Sequence, residues 1–152
     1  MEENDLTRAQ SEALVLLAKE ANESLDAAAS GAANRAFNLG CSVTLIPGLI
    51  LTALVAIFTQ LNWSAVAITL VLVVFAVVGF ANLAAFTAAK SAAERAYQED
   101  VSPHIKHTLA EAHIDRQLFI AAAGESLPAS ARLNRFLLQE SQVLPGEIGK
   151  TA

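Results

Sequence analysis

The chain has 152 residues, 54% of them hydrophobic and 16% charged, with a formal net charge of −5. That apolar share is above the norm for one soluble domain of this length, and an acidic balance without a Lys/Arg cluster argues against a surface that grips nucleic-acid phosphates. The single Cys41 excludes an intrachain disulfide.

The first residues, Met1-Glu2-Glu3-Asn4-Asp5, are acidic. They lack the basic start of a secretory signal, so the apolar segments downstream are expected to be retained. Ala, Leu, Glu, Gln, Lys and Arg dominate residues 5–38, which predicts a helical arm over 1–38 on the cytoplasmic side. Along it Leu14, Ala18, Ala21, Leu25, Ala28 and Ala32 recur at alternating spacings of four and three, a coiled-coil seam whose side chains are small near the membrane.

No charged residue occurs between Arg35 and Lys90. A gap of that length is too long for one buried helix and long enough for two bilayer crossings. The transmembrane hairpin is therefore placed at 39–89, with spans at about 39–60 and 65–86 and a tip at 61–64. Trp63 in the tip is the expected interfacial anchor. In the first span Pro47-Gly48 predicts a bend, because Pro47 removes a backbone hydrogen bond. Cys41, Thr44, Gly48, Thr52 and Thr59 fall in one narrow arc of the helical wheel. Such a face either lines an aqueous path, with Pro47 and Gly48 as its hinge, or packs against another helix. Asn38 and Asn82 lie at similar depth and either bond across the hairpin or are solvated at the interface.

Beyond the second span, Ala85, Ala88, Ala92 and Ala96 form a second small stripe. A turn centred near Asn62 pairs residues whose numbers add to about 124, which sets Ala36 against Ala88, Ala32 against Ala92 and Ala28 against Ala96. The two helices are thus expected to continue together outside the bilayer as an antiparallel coil. The region 90–141 is read as a helical arm followed by further helices. Ser102-Pro103 should end the long helix and start another from Pro103 to Ala123, with Ser102 as N-cap and Gly124 beyond its end. A short helix follows from Ser126-Leu127-Pro128 to about Ser141, with Leu133, Phe136 and Leu137 on one face, and 142–152 reads as a disordered tail.

Arg35, Lys90, Arg95 and Lys106 flank the spans and the tip has no cation, so both termini are expected in the cytoplasm. Arg132, Leu133, Arg135, Phe136 and Leu137 form a basic amphipathic patch suited to the inner leaflet, the helical arms or a partner. His104, His107 and Glu111 share a helix face, a weak metal-site signal without the two-His spacing of helical zinc motifs. No Asp, Glu, His, Lys or Arg lies inside either span, which counts against a pump or transporter. No nucleophile elbow, phosphate loop or paired-cysteine motif occurs. No catalytic residue, cofactor or small-molecule substrate is therefore expected.

The expectation is an all-α protein whose partners are the lipid bilayer and copies of itself or other membrane subunits, acting as a scaffold or accessory subunit. The alternative is a membrane-permeabilising hairpin, since the layout is similar in outline to small bacterial pore-forming hairpins of the effector or holin kind. A bacterial inner membrane is the expected location.

Overall fold

The computed structural model describes residues 8–60 and 62–143, and no strand occurs among them. Five α-helices follow one another: α1 Arg8–Phe58, α2 Trp63–Ala96, α3 Ser102–Glu111, α4 Arg116–Ser126 and α5 Arg132–Val143. A π-helical turn, Tyr97–Val101, links α2 to α3 without a break. The chain divides into a hairpin unit, Ala29–Ala92, and a bundle unit formed by the residues up to Ala28 and from Ala93 onward. The tail expected at 142–152 lies outside the described residues, apart from the backbone of Gln142 and Val143, which closes α5.

In the hairpin unit α1 and α2 run antiparallel. A side chain placed on Gly40 would meet Ala81, and one on Gly48 would meet Val73, so facing residue numbers add to 121. The expected sum of about 124 is thereby corrected by nearly one helical turn. The reason is the turn itself: α1 stops at Phe58 and α2 already starts at Trp63, so the reversal centres between Thr59 and Asn62 rather than on 61–64. Gln60 takes the left-handed conformation, at φ 52°, and Asn62 caps α2 by accepting from the Ser64 N–H at 3.1 Å. Leu61 of the expected tip lies outside the described residues. Pro47 lies inside α1 and does not interrupt it.

Both long helices are apolar and long enough to cross a bilayer, and their most apolar 18-residue stretches are only 6% and 17% buried. The large side chains of the hairpin point outward: Val43, Ile57, Phe58, Phe75 and Phe86 are all mostly exposed.

The bundle unit has an ordinary core. Leu14, Ala18, Ala21 and Leu25 of α1 pack with Tyr97, Val101, Ile105, Leu109, Phe119, Ala123, Leu133 and Leu137. The expected seam on α1 is present over its first four members and then passes to Ala29 rather than Ala28. Over those four members the partner is a multi-helix core rather than one helix, because Ile105, Phe119 and Leu133 also need burial.

Ser102-Pro103 does not end the helix. Pro103 cannot donate to the Glu99 carbonyl, and in a regular helix its ring would press against that group. The chain widens by one residue instead, and the Ser102 N–H bonds the Tyr97 carbonyl five residues back. The wide turn also serves packing. Ala93, Tyr97, Val101, Ile105 and Leu109 are all buried at a strict spacing of four, which in a uniform helix drifts by about 40° per step. An inserted residue takes up part of that drift and keeps the row on the core.

The single helix expected from Pro103 to Ala123 is two. Leu109 to Ile114 close α3 as a Schellman motif: His113 is left-handed at φ 52°, its N–H bonds the Ala110 carbonyl, and the Ile114 N–H bonds that of Leu109 at 3.0 Å. Asp115 then caps α4 by accepting from the Gln117 N–H at 2.9 Å. Val101 occupies the N-cap position expected for Ser102, and Gly124 lies inside α4 rather than beyond a helix end. The last helix starts at Arg132, after a turn in which the Ala131 N–H bonds the Pro128 carbonyl.

Candidate functional site

Two constructions in the molecule bear on function: the inner seam of the hairpin and a polar tie in the bundle. The seam is made of the small residues. Along α1 Gly40, Thr44, Gly48 and Thr52 are half-buried, as is Thr59 just past its end, and along α2 Thr69, Val73, Val77 and Ala81 are half-buried or buried, nearly all at spacings of four. Of the face formed by Cys41, Thr44, Gly48, Thr52 and Thr59, Gly48 lies against Val73 of α2, and the other four are half-buried. The polarity of that face is consumed locally. Thr44 donates to the Gly40 carbonyl at 2.6 Å, Thr52 to Gly48 at 2.9 Å, Thr59 to Val55 at 2.7 Å and, from the other side, Thr69 to Ala65 at 2.9 Å. Hydroxyls bonded to their own helix leave nothing that needs water in an apolar surround. None of these bonds reaches Val43, whose carbonyl loses its helical partner at Pro47.

Gly40 was not among the residues singled out from sequence, although Gly40-Thr44-Gly48-Thr52 is a small-residue repeat at intervals of four. Ala28, Ala32, Ala36, Ala88, Ala92 and Ala96 are each half-buried. Carried outward from Gly40–Ala81 and Gly48–Val73, the register sets position 36 level with 85 and position 32 level with 89. Asn82 does not cross the hairpin; its amide donates to the Val78 carbonyl of its own helix at 2.8 Å. Trp63 is exposed on the first turn of α2.

The tie in the bundle centres on Glu140 of α5. Its carboxylate accepts from the Tyr97 hydroxyl at 2.6 Å and from the Arg116 guanidinium, and the Lys106 ammonium stands 3.9 Å away. Tyr97 also stacks on Phe136, with ring centroids 4.6 Å apart. Burial, followed by the Glu140 carboxylate, pushes the Tyr97 hydroxyl well above the ordinary phenol range. Burial alone would raise Glu140, but the Tyr97 hydroxyl, Arg116 and Lys106 outweigh it and hold the carboxyl below its usual range. A depressed carboxyl adds stability above its unfolded pKa, and that stability is lost as pH falls through the folded value. The bundle is therefore expected to weaken on acidification below about pH 5. Chemical unfolding at several pH values checks this: Glu140→Gln should be less stable than wild type at neutral pH, and the gap should close toward acid.

Leu133 and Leu137 are buried in the core, so the patch at 132–137 faces the bundle and not a leaflet. Arg132 pairs with Asp26 at 2.7 Å, the Leu133 N–H bonds Asn22, and Arg135 bonds the Ser130 carbonyl. The three metal candidates do not converge. His107 lies 3.4 Å from Glu111 with both side chains exposed, and His104 is exposed. No group of three potential ligands is assembled among the described residues. Compared with known proteins, the chain matches no family model, no curated protein and no solved structure.

Proposed function

We propose that this chain is a non-enzymatic integral membrane protein that crosses the bilayer twice and serves as a scaffold or accessory subunit, its hairpin anchoring a helical bundle that engages copies of itself or other membrane proteins. One observation carries the reading. The hairpin turns its large apolar side chains outward and its small and hydroxyl side chains inward. Water does not tolerate a continuous apolar surface of this extent, whereas hydrocarbon does. Cytoplasmic ends are supported by the cations that flank the spans, Arg35 before the first and Lys90, Arg95 and Lys106 after the second, with none at the tip. The bundle supplies the binding surface; its tie at Tyr97, Arg116 and Glu140 holds α5 in place and is read as structural.

A pore lined by Thr44, Thr52 and Thr59 has less support, because these hydroxyls are half-buried and bond carbonyls of their own helix segment. The test is made in cells. The protein should stay with membranes through an alkaline wash and leave the membrane potential intact, both as wild type and as Thr52→Leu, and cross-linking should capture a defined partner or a second copy. Recovery as a monodisperse species without detergent would end the membrane reading. Depolarisation by wild type, abolished in Thr52→Leu, would replace the scaffold with a pore.

A further inference from the structure

Within residues 29–92 only Arg35 and Lys90 are charged, and both are cations. Removing these two from a net charge of −5 leaves −7 on the rest of the chain, so the hairpin's charge is opposite in sign to that of everything attached to it. Both side chains are exposed, and both lie at the open end of the hairpin. Next to them, toward the tip, stand the exposed rings of Phe37 and Phe86; at the closed end stand Phe58 and Trp63, 83% and 78% exposed. Carrying the register of Gly40–Ala81 and Gly48–Val73 along the helices sets Phe58 level with Trp63, and Phe37 nearly level with Phe86. The helix rise sets the two pairs about 32 Å apart along α1 and about 34 Å along α2, close to the roughly 30 Å of a hydrocarbon core. Phe75 and Phe80 lie between them on α2.

Resting on the membrane reading, we propose that the open end of the hairpin is a lipid-headgroup collar in which Arg35 and Lys90 bind the phosphates of one leaflet, with Phe37 and Phe86 at the acyl boundary beneath and Phe58 and Trp63 at the opposite boundary. The chemistry suits the residues. A guanidinium offers phosphate a two-pronged donor set, an ammonium offers a mobile point charge, and both have apolar stems that lie along lipid while the head reaches the surface. Any phospholipid supplies the phosphodiester; a headgroup of net negative charge adds attraction, so anionic lipid is preferred over zwitterionic.

The full chain in detergent micelles, titrated with phosphatidylglycerol and weighed intact by native mass spectrometry, tests the collar. Arg35→Gln and Lys90→Gln should each weaken phosphatidylglycerol binding roughly fivefold, while Lys19→Gln leaves it unchanged. Equal binding by wild type and the Arg35→Gln/Lys90→Gln pair would overturn the collar. Trp63 is the only tryptophan, so its fluorescence in phosphatidylcholine vesicles tests the reading beneath. Bromine carried near the headgroup should quench it more than bromine at the chain end. Stronger quenching from the chain end would mean that the tip stops at mid-bilayer, and the crossing would fall along with the collar's opposite boundary. Shallow quenching with unchanged lipid binding would remove the collar alone.

Discussion

Gly48→Ala is expected to destabilise the hairpin by about 1–3 kcal/mol, the usual cost of forcing a methyl group into a packed site. A Cβ at position 48 would collide with Cγ1 of Val73, nearer than real Cβ atoms approach a neighbour. Val73 cannot swing away without cost, because a β-branched side chain in a helix has one strongly preferred rotamer. Val73→Ala removes the obstructing atom, so Gly48→Ala/Val73→Ala should recover most of what Gly48→Ala loses. Gly40 behaves differently. Its Cβ would lie 3.0 Å from the Ala81 Cα, and no side-chain truncation removes a backbone atom, so Gly40→Ala has no rescuing partner at 81. Gly31 and Gly79 meet nothing within 4 Å. Alanine there should be neutral or stabilising by up to about 1 kcal/mol through helix propensity. Helicity followed through a sodium dodecyl sulfate titration in mixed micelles orders the four glycine variants and the double. If Gly48→Ala and Gly79→Ala unfolded together, the close approach of α1 and α2 would be refuted.

That contrast among glycines shows where sequence reasoning reaches and where it stops. The charge-free stretch from Arg35 to Lys90 and its short polar interruption predict two long apolar helices, and two such helices are present. The heptad-like spacing at Leu14, Ala18, Ala21 and Leu25 identifies a buried seam, since periodicity reports which face is covered. It does not report by what, and here the cover is a bundle core rather than one partner helix. The register was legible only to within a turn, because it depends on where the reversal centres and hence on Gln60 adopting a left-handed backbone. Pro103 misled for a physical reason: a π-turn absorbs the missing donor, and nothing in local composition marks a π-turn in advance. The break at His113 was hidden as well, since Schellman motifs usually announce themselves with glycine and this one uses histidine. Asp115 was the available signal: a carboxylate capping residue before a new apolar row. The Tyr97–Glu140 bond joins residues 43 apart, beyond the reach of any local pattern.

Phe119→Ala should cost the bundle about 3–5 kcal/mol, the range for emptying a fully buried aromatic site. Phe119 is 0% exposed, and it carries α4 into the core shared with residues of α1, α3 and α5. With the ring gone, α4 keeps Ala123 fully buried and Ile120 and Ala122 partly buried against the core, so its largest buried apolar contribution is lost. A loss of that size is a large fraction of the stability of a small helical unit. The hairpin is expected to respond differently. Its seam is stabilised by helix-internal hydrogen bonds and by packing among Gly40, Gly48, Val73 and Ala81, none of which involves Phe119. In an apolar medium those helices have no competing partner for their backbone groups. Limited proteolysis and thermal circular dichroism of Phe119→Ala should therefore show early cleavage within 112–143 and a lowered first transition, while Trp63 emission and the helicity that resists heating stay as in wild type. A Trp63 spectrum that changes together with the bundle's cleavage would mean that the two units fold as one.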